Sequence, residues 1–237
     1  MGKSAADEKI LSYNDVVLRR SDLDILNGPY FLNDRLIDFY FSHLSSGHPS
    51  QEILLVTPSI AFWMANCPDK ENLKDFLEPF KLRDKKLVIF PVNDNDDVSL
   101  AEGGNHWSLL AYERNSNVFV HHDSSGGINK WHAMQLYKTV VGFICDSNVE
   151  GHARYIDYTD SPQQVNGYDC GVYVLAATRV ICCWYESSES KDSNGLWFTS
   201  LKEQVNPSAA AEMRKEILGL IGELMAGKCT SSPSKEA

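Results

Sequence analysis

Asn105-His106-Trp107-Ser108-Leu109-Leu110-Ala111-Tyr112-Glu113, then Arg114-Asn115-Ser116-Asn117, then Val118-Phe119-Val120-His121-His122-Asp123, reads as two short strands joined by a tight turn. Both outer segments are rich in β-branched, aromatic and aliphatic residues, and the connection is made of turn formers. With Asn115-Ser116 as the loop, paired positions sum to 231. Ser108 then faces Asp123, and His106, two residues from Ser108, lies on the same face and diagonal to Asp123. Diagonal neighbours are roughly 7–8 Å apart at the backbone, within reach of an imidazole and a carboxylate. A one-residue slip would send one of the two side chains to the opposite face.

Outward from this hairpin, Lys86 to Val92 and Arg154 to Tyr158 have the composition of further strands. Asn33-Asp34 precedes Leu36, Ile37, Tyr40, Phe41 and Leu44, a spacing that fits one face of a helix with an Asx cap. Short helices are expected after Thr57-Pro58 and near Glu71 to Leu77, and longer ones over Asn129 to Ile144, Cys170 to Glu186 and Ser208 to Met225. Helices first, strands in the middle and helices last suit an α+β domain better than a repeated βαβ array. The reading is one domain over residues 11–228, with polar, disordered ends at 1–10 and 229–237.

Composition narrows the function. Of the 237 residues, 43% are hydrophobic and 23% charged, ordinary proportions for a chain that makes a core without disulfides or a metal. The six cysteines form no C-x-x-C pair and MGKSAADEKI has no apolar signal core, which points to a reducing intracellular compartment, cytoplasmic or nuclear. No apolar run approaches the ~20 residues that span a bilayer. A net charge of -10 with no basic stripe disfavours nucleic acid.

Cys170 follows the breaker-rich loop Ser161-Pro162-Gln163-Gln164-Val165-Asn166-Gly167-Tyr168-Asp169 and opens an apolar helix. Unpaired N–H groups and the helix dipole favour an anion there, so a thiolate is stabilised, more so beside an imidazolium. Taken alone, a Cys beside Val172, Val174 and Leu175 is most often a packing residue, and Cys182 and Cys183 fit that description. A carboxylate on His106 would fix its tautomer and stabilise its charged form, as a catalytic base requires.

Together, Asn105-His106-Trp107-Ser108-Leu109-Leu110, Asp123-Ser124 and Gln164-Val165-Asn166-Gly167-Tyr168-Asp169-Cys170-Gly171 resemble the signature of the ubiquitin-like protease (Ulp, sentrin-specific protease) family, in the family's chain order. The resemblance implies a papain-like or adenain-like fold with a central mixed sheet flanked by helices. It implies a thiol protease, with no metal or cofactor, that cleaves after the Gly-Gly of a ubiquitin-like modifier. His106 would be the base, Asp123 its orienter, Cys170 the nucleophile, and Gln164, six residues before Cys170, an oxyanion-hole donor.

By the same resemblance Trp107 roofs a tunnel for the diglycine tail; its other reading is an ordinary core Trp. Phe31, with Asp34 close by, stands where the family usually has a second Trp. Leu11-Ser12-Tyr13, Leu18-Arg19-Arg20-Ser21-Asp22 and the long loop from Val92-Asn93-Asp94-Asn95 through Gly103-Gly104 are similar to the branch acting on the Nedd/RUB modifier, rather than the SUMO branch. That likeness implies a monomeric deneddylase whose conjugates include cullins. Asp94, Asp96, Asp97 and Glu102 are then expected to close over the modifier, although a solvated acidic loop has the same composition. A modifier-binding protein with an inherited, inactive triad, or an acyltransferase, would share the same residues.

Overall fold

The computed structural model describes residues 5–48, 50–100, 103–145, 153–187 and 195–229. Five strands form the central sheet, in the order β3 (Ile53–Leu55), β4 (Leu87–Asn93), β5 (Trp107–Glu113), β6 (Val118–His122) and β7 (Arg154–Asp157). The inner pairs β4/β5 and β5/β6 are antiparallel, while β3 and β7 join the edges parallel, which makes the sheet mixed. A separate two-stranded ribbon, β1 (Lys9–Tyr13) and β2 (Val16–Arg19), precedes it.

Eight α-helices are described: α1 (Arg20–Asn27), α2 (Asp34–Gly47), α3 (Pro58–Asn66), α4 (Lys70–Leu77), α5 (Lys130–Ile144), α6 (Cys170–Glu186), α7 (Phe198–Gln204) and α8 (Pro207–Cys229). Strand alternation divides the interior in two. Leu87, Ile89, Leu109, Ala111, Val118 and Val120 pack against α2, α6, α7 and α8. Val88, Phe90, Val92, Leu110, Tyr112 and Phe119 point the other way, against α3, α4 and α5. Helix α6 lies inside the first core and is apolar on almost every side, as a helix covered all round must be.

The expected hairpin register holds residue for residue: Leu109 pairs with His122, Leu110 with His121 and Glu113 with Val118. At its tip Asn117 takes a left-handed φ of 47°, and its N–H donates to Arg114 O. Buried Glu113 accepts from the amides of Asn115 (2.9 Å) and Ser116 (2.6 Å), so the turn satisfies its own backbone. Pro91 sits in β4 past the last β3 pair, Leu55 with Ile89, where its missing N–H breaks no pairing with β3.

At the front of the chain the structure departs from expectation. Lys9 and Ile10 belong to β1 rather than to a disordered end, because alternating burial in this ribbon sets Leu11, Val16 and Leu18 into the core. The ribbon, α1, β3 and α7 had no counterpart in the sequence reading. The expected disordered tail lies, apart from Cys229, outside the described residues.

Candidate active site

Three segments meet at one end of the sheet. His106 immediately precedes β5, Asp123 immediately follows β6, and Cys170 is the first residue of α6. All three are buried, with Cys170 at 0% exposure, His106 at 6% and Asp123 at 5%. The His106 ring donates through Nε2 to Asp123 Oδ1 at 2.7 Å, which leaves Nδ1 as the nitrogen for the Cys170 thiol. Burial alone would lower the His106 pKa, but the Asp123 hydrogen bond, the Cys170 sulfur and their negative charges outweigh it and raise it to about 9. The imidazole is therefore charged at neutral pH.

Asp123 is held below the usual carboxylate range. Burial pushes its pKa up, yet His106 and the amides of Asn129 (2.9 Å) and Ser125 (2.8 Å) stabilise the anion more strongly. His106 is pinned along its backbone as well. Asp94 Oδ1 accepts from the amides of Asn105 (2.6 Å) and His106 (2.9 Å), and Asn129 Nδ2 donates to His106 O (3.2 Å) and Val92 O (3.1 Å). Asp94 and Asn129 thus fix the base from both sides, a role the sequence reading did not give to either. Asp94, expected against a modifier, has its Oδ1 engaged by the chain's own amides.

Gln163 and Gln164 divide the work in the loop ahead of Cys170. Gln163 is structural: its Nε2 donates to Asp123 O (2.9 Å) and Ser161 O (2.8 Å), and its Oε1 accepts from Gly126 N (2.8 Å). Gln164 accepts from Ser124 Oγ at 2.7 Å and donates from Nε2 to Asn166 O at 2.7 Å. One of its two amide hydrogens is engaged there, and the other remains for a ligand. The backbone of Gln164 is tied to Ser124 O at 2.8 Å, which places this amide next to the Asp123-Ser124 turn.

Trp107 is 6% exposed and its indole donates to Leu32 O at 2.9 Å, so it braces the segment before α2 while also packing in the core. Asn33 caps α2 through Leu36 N (3.1 Å), as its position predicts, and Phe31 stands 45% exposed beside it. A groove of about 790 Å³ runs along Phe31, Asp34, Asn93, Gly104 and Trp107 to His106. Gly171 has no room for a side chain, because a Cβ would come within 2.9 Å of Leu32 Cβ and 3.4 Å of Trp107 Cδ1. The helix carrying Cys170 therefore abuts the Phe31 segment directly.

Of the remaining acidic positions, Asp96 pairs with His132 Nε2 at 3.1 Å, and Asp97 accepts from the amide and hydroxyl of Ser99. Glu102 lies outside the described residues. Among the described residues no group of three or more His, Cys, Asp or Glu side chains is arranged to hold a metal, and no helix is long and apolar enough to cross a membrane.

A charged imidazole beside a sulfur at a helix start, oriented by a buried carboxylate, is an arrangement suited to nucleophilic attack on a carbonyl. Comparison with known proteins agrees with that chemistry. Residues 30–218 match the model of the Ulp1 protease family, C-terminal catalytic domain. The chain is 58% identical to NEDD8-specific protease 1 of Arabidopsis thaliana, over 95% of this chain and 97% of that protein. It is 34% identical to sentrin-specific protease 8 of Homo sapiens, over 74% of this chain and 82% of that protein. Among solved structures, the C-terminal Ulp1 protease domain in complex with Smt3, the yeast ortholog of SUMO, superposes with a TM-score of 0.68 at 18% identity, covering 94% and 90% of the two chains, a likeness of fold.

Proposed function

This chain belongs to the Ulp1 protease family, and from that membership we propose that it cleaves after the C-terminal Gly-Gly of a Nedd/RUB-type ubiquitin-like modifier, both in the precursor and in conjugates. The observation that carries the reading is the His106 ring, bonded to Asp123 through Nε2 and raised in pKa by Asp123 and Cys170 together. The choice of modifier is supported by the relatives whose names specify NEDD8, one of them alike over nearly the whole chain. Intact His106, Asp123, Gln164 and Cys170 favour an enzyme over a relic that only binds.

In the proposed reaction the diglycine tail lies in the groove that runs along Phe31 and Trp107 to His106. Cys170 Sγ attacks the carbonyl carbon of the last glycine, and the oxyanion is met by the spare amide hydrogen of Gln164 and by backbone N–H at the start of α6. The His106 imidazolium passes its proton to the departing amine, so the C–N bond breaks and a thioester remains. Neutral His106 then takes a proton from water as the water attacks the thioester, and the thiolate and imidazolium are restored. Asp123 keeps the ring oriented throughout.

Cullin conjugates are the proposed substrates, the cytoplasm and nucleus the proposed site of action, and a monomer the proposed active form. Cysteine usage without a disulfide framework and an acidic surface without a basic stripe support this setting. The deciding measurement is hydrolysis of fluorogenic C-terminal conjugates of Nedd/RUB, SUMO and ubiquitin under identical conditions. Release from the Nedd/RUB conjugate at least about tenfold faster is expected; preference for SUMO would move the chain to the sister branch of the family.

A further inference from the structure

The residue before the nucleophile, Asp169, is 7% exposed; its Oδ2 accepts from nearby Asn166 Nδ2 at 2.7 Å, and its Oδ1 from a residue 45 positions further along the chain. Arg214 of α8, 8% exposed, donates through Nε to Asp169 Oδ1 at 2.8 Å. Its Nη1 donates to Ile25 O at 3.0 Å, and its Nη2 to Tyr30 O at 2.9 Å and Tyr168 O at 3.4 Å. The guanidinium carbon also lies 5.4 Å from the centre of the Tyr168 ring. One planar group thereby joins the loop that ends at Cys170 to the segment that begins at Tyr30 and presents Phe31.

A buried ion pair is by itself weak grounds for a role in stability, since well-packed apolar residues often serve as well. What distinguishes Arg214 is that its three nitrogens serve acceptors on different segments, two of which frame the active site. The spacing between those segments is already tight, with Gly171 touching Leu32 where no Cβ would fit. Trp107 fixes Leu32 O from the sheet side, and Arg214 fixes Tyr30 O from the helix side. Phe31 is held by its neighbours at both ends while its own ring stays exposed.

We propose that Arg214 is a positioning residue for the hydrolysis: it sets the distance between Cys170 and the Phe31 segment, and with it the placement of the scissile carbonyl over the sulfur. The proposal rests on the hydrolase reading above. A lysine would keep a positive charge against Asp169, but one ammonium cannot serve Asp169, Ile25 and Tyr30 from the directions that a guanidinium spans. Misplacement of a reacting group by about 1 Å costs on the order of a hundredfold in rate.

The test is Arg214→Lys, measured on whichever diglycine conjugate the wild type hydrolyses. Its kcat is expected to fall about tenfold to a hundredfold, with KM, governed by the modifier's larger surface, changed less than about threefold. Alkylation of Cys170 by iodoacetamide, which needs the sulfur and His106 but no Phe31 segment, should stay within about twofold of wild type. In Arg214→Ala, added ethylguanidine should restore kcat and ethylammonium should not. A kcat for Arg214→Lys within about threefold of wild type would overturn the proposal, as would alkylation falling in parallel with kcat. Failure of both variants to fold would also overturn it, because Arg214 would then be a residue of general stability. A wild type silent towards every modifier would instead refute the hydrolase reading itself.

Discussion

His106 Nε2 and Asp123 Oδ1 meet at 2.7 Å although each residue lies just outside the strand that delivers it. Strand register brings the two backbones together, and the loops beyond the strands set the rotation of the side chains. Asp94 and Asn129 hold the His106 backbone, while Ser125 and Asn129 hold the Asp123 carboxylate.

The charged state of His106 sets the alkaline limit of activity. Its folded pKa, about 9, lies above its ordinary value of 6.5, so the imidazolium and its contribution to stability are complete below 6.5 and are lost as pH rises through about 9. The rate of hydrolysis should fall along the same limb. In Asp123→Asn that limb should move towards 6.5, and kcat at pH 7 should drop by about 10²- to 10⁴-fold. A pH–rate profile of both proteins reads the shift.

Replacement of the sulfur separates chemistry from binding. Cys170→Ser should lose about 10⁴-fold or more in kcat while still binding the modifier, as calorimetry would report. Cys183→Ser, at an exposed position on α6, should be indistinguishable from wild type. Burial, with the neighbouring Cys183 and Glu186, pushes the Cys182 thiol up to about 12, so mass spectrometry after brief alkylation at pH 7 should find Cys182 unmodified.

Asp94 offers a discrimination between scaffold and substrate contact. Its Oδ1 accepts the amides of Asn105 and His106, a function an Asn side chain can keep and an Ala side chain cannot. Asp94→Asn should retain kcat/KM within about threefold, and Asp94→Ala should lose about tenfold, the worth of one to two kcal/mol of lost hydrogen bonding. Equal losses in the two variants would mean that the negative charge itself meets the modifier.

Acid stability should carry the signature of His122. This fully buried ring accepts from Trp197 Nε1 at 2.8 Å and donates from Nδ1 to Ser161 Oγ at 3.0 Å, so it is held neutral. Burial, helped by neighbouring His121, lowers its pKa to about 3. Above 6.5 neither folded nor unfolded chain binds this proton; between 6.5 and about 3 only the unfolded chain does. Stability should therefore fall by about 1.4 kcal/mol per pH unit in that window. Urea unfolding at pH 7, 6 and 5 should show a slope smaller by one proton in His122→Gln.

The parts of the fold that were legible in the sequence are those decided locally. Turn formers at Arg114–Asn117 between two short strands of β-forming residues fixed a hairpin register that pairs Leu109 with His122, and an Asx cap at Asn33 announced α2. Breakers before Cys170 marked the start of α6. What escaped is decided at a distance. Strand β3 has three residues and exists because β4 lies beside it, and the ribbon β1/β2 takes its order from the core side chains Leu11 and Leu18. The roles of Asp94, Asn129 and Arg214 depend on backbone groups delivered by remote segments, so in the sequence they look like a charge run, a turn residue and a helix-face cation.

The position of Arg214 also orders events during synthesis. A ribosome delivers the hairpin with its base and carboxylate first, the sulfur next and the guanidinium of α8 last. A nascent chain can pair His106 with Asp123 early, since that contact is local, but Asp169, the residue before the sulfur, meets its Arg214 partner only once α8 docks. The clasp between the sulfur's loop and the Phe31 segment therefore closes only after every other part of the site has left the ribosome.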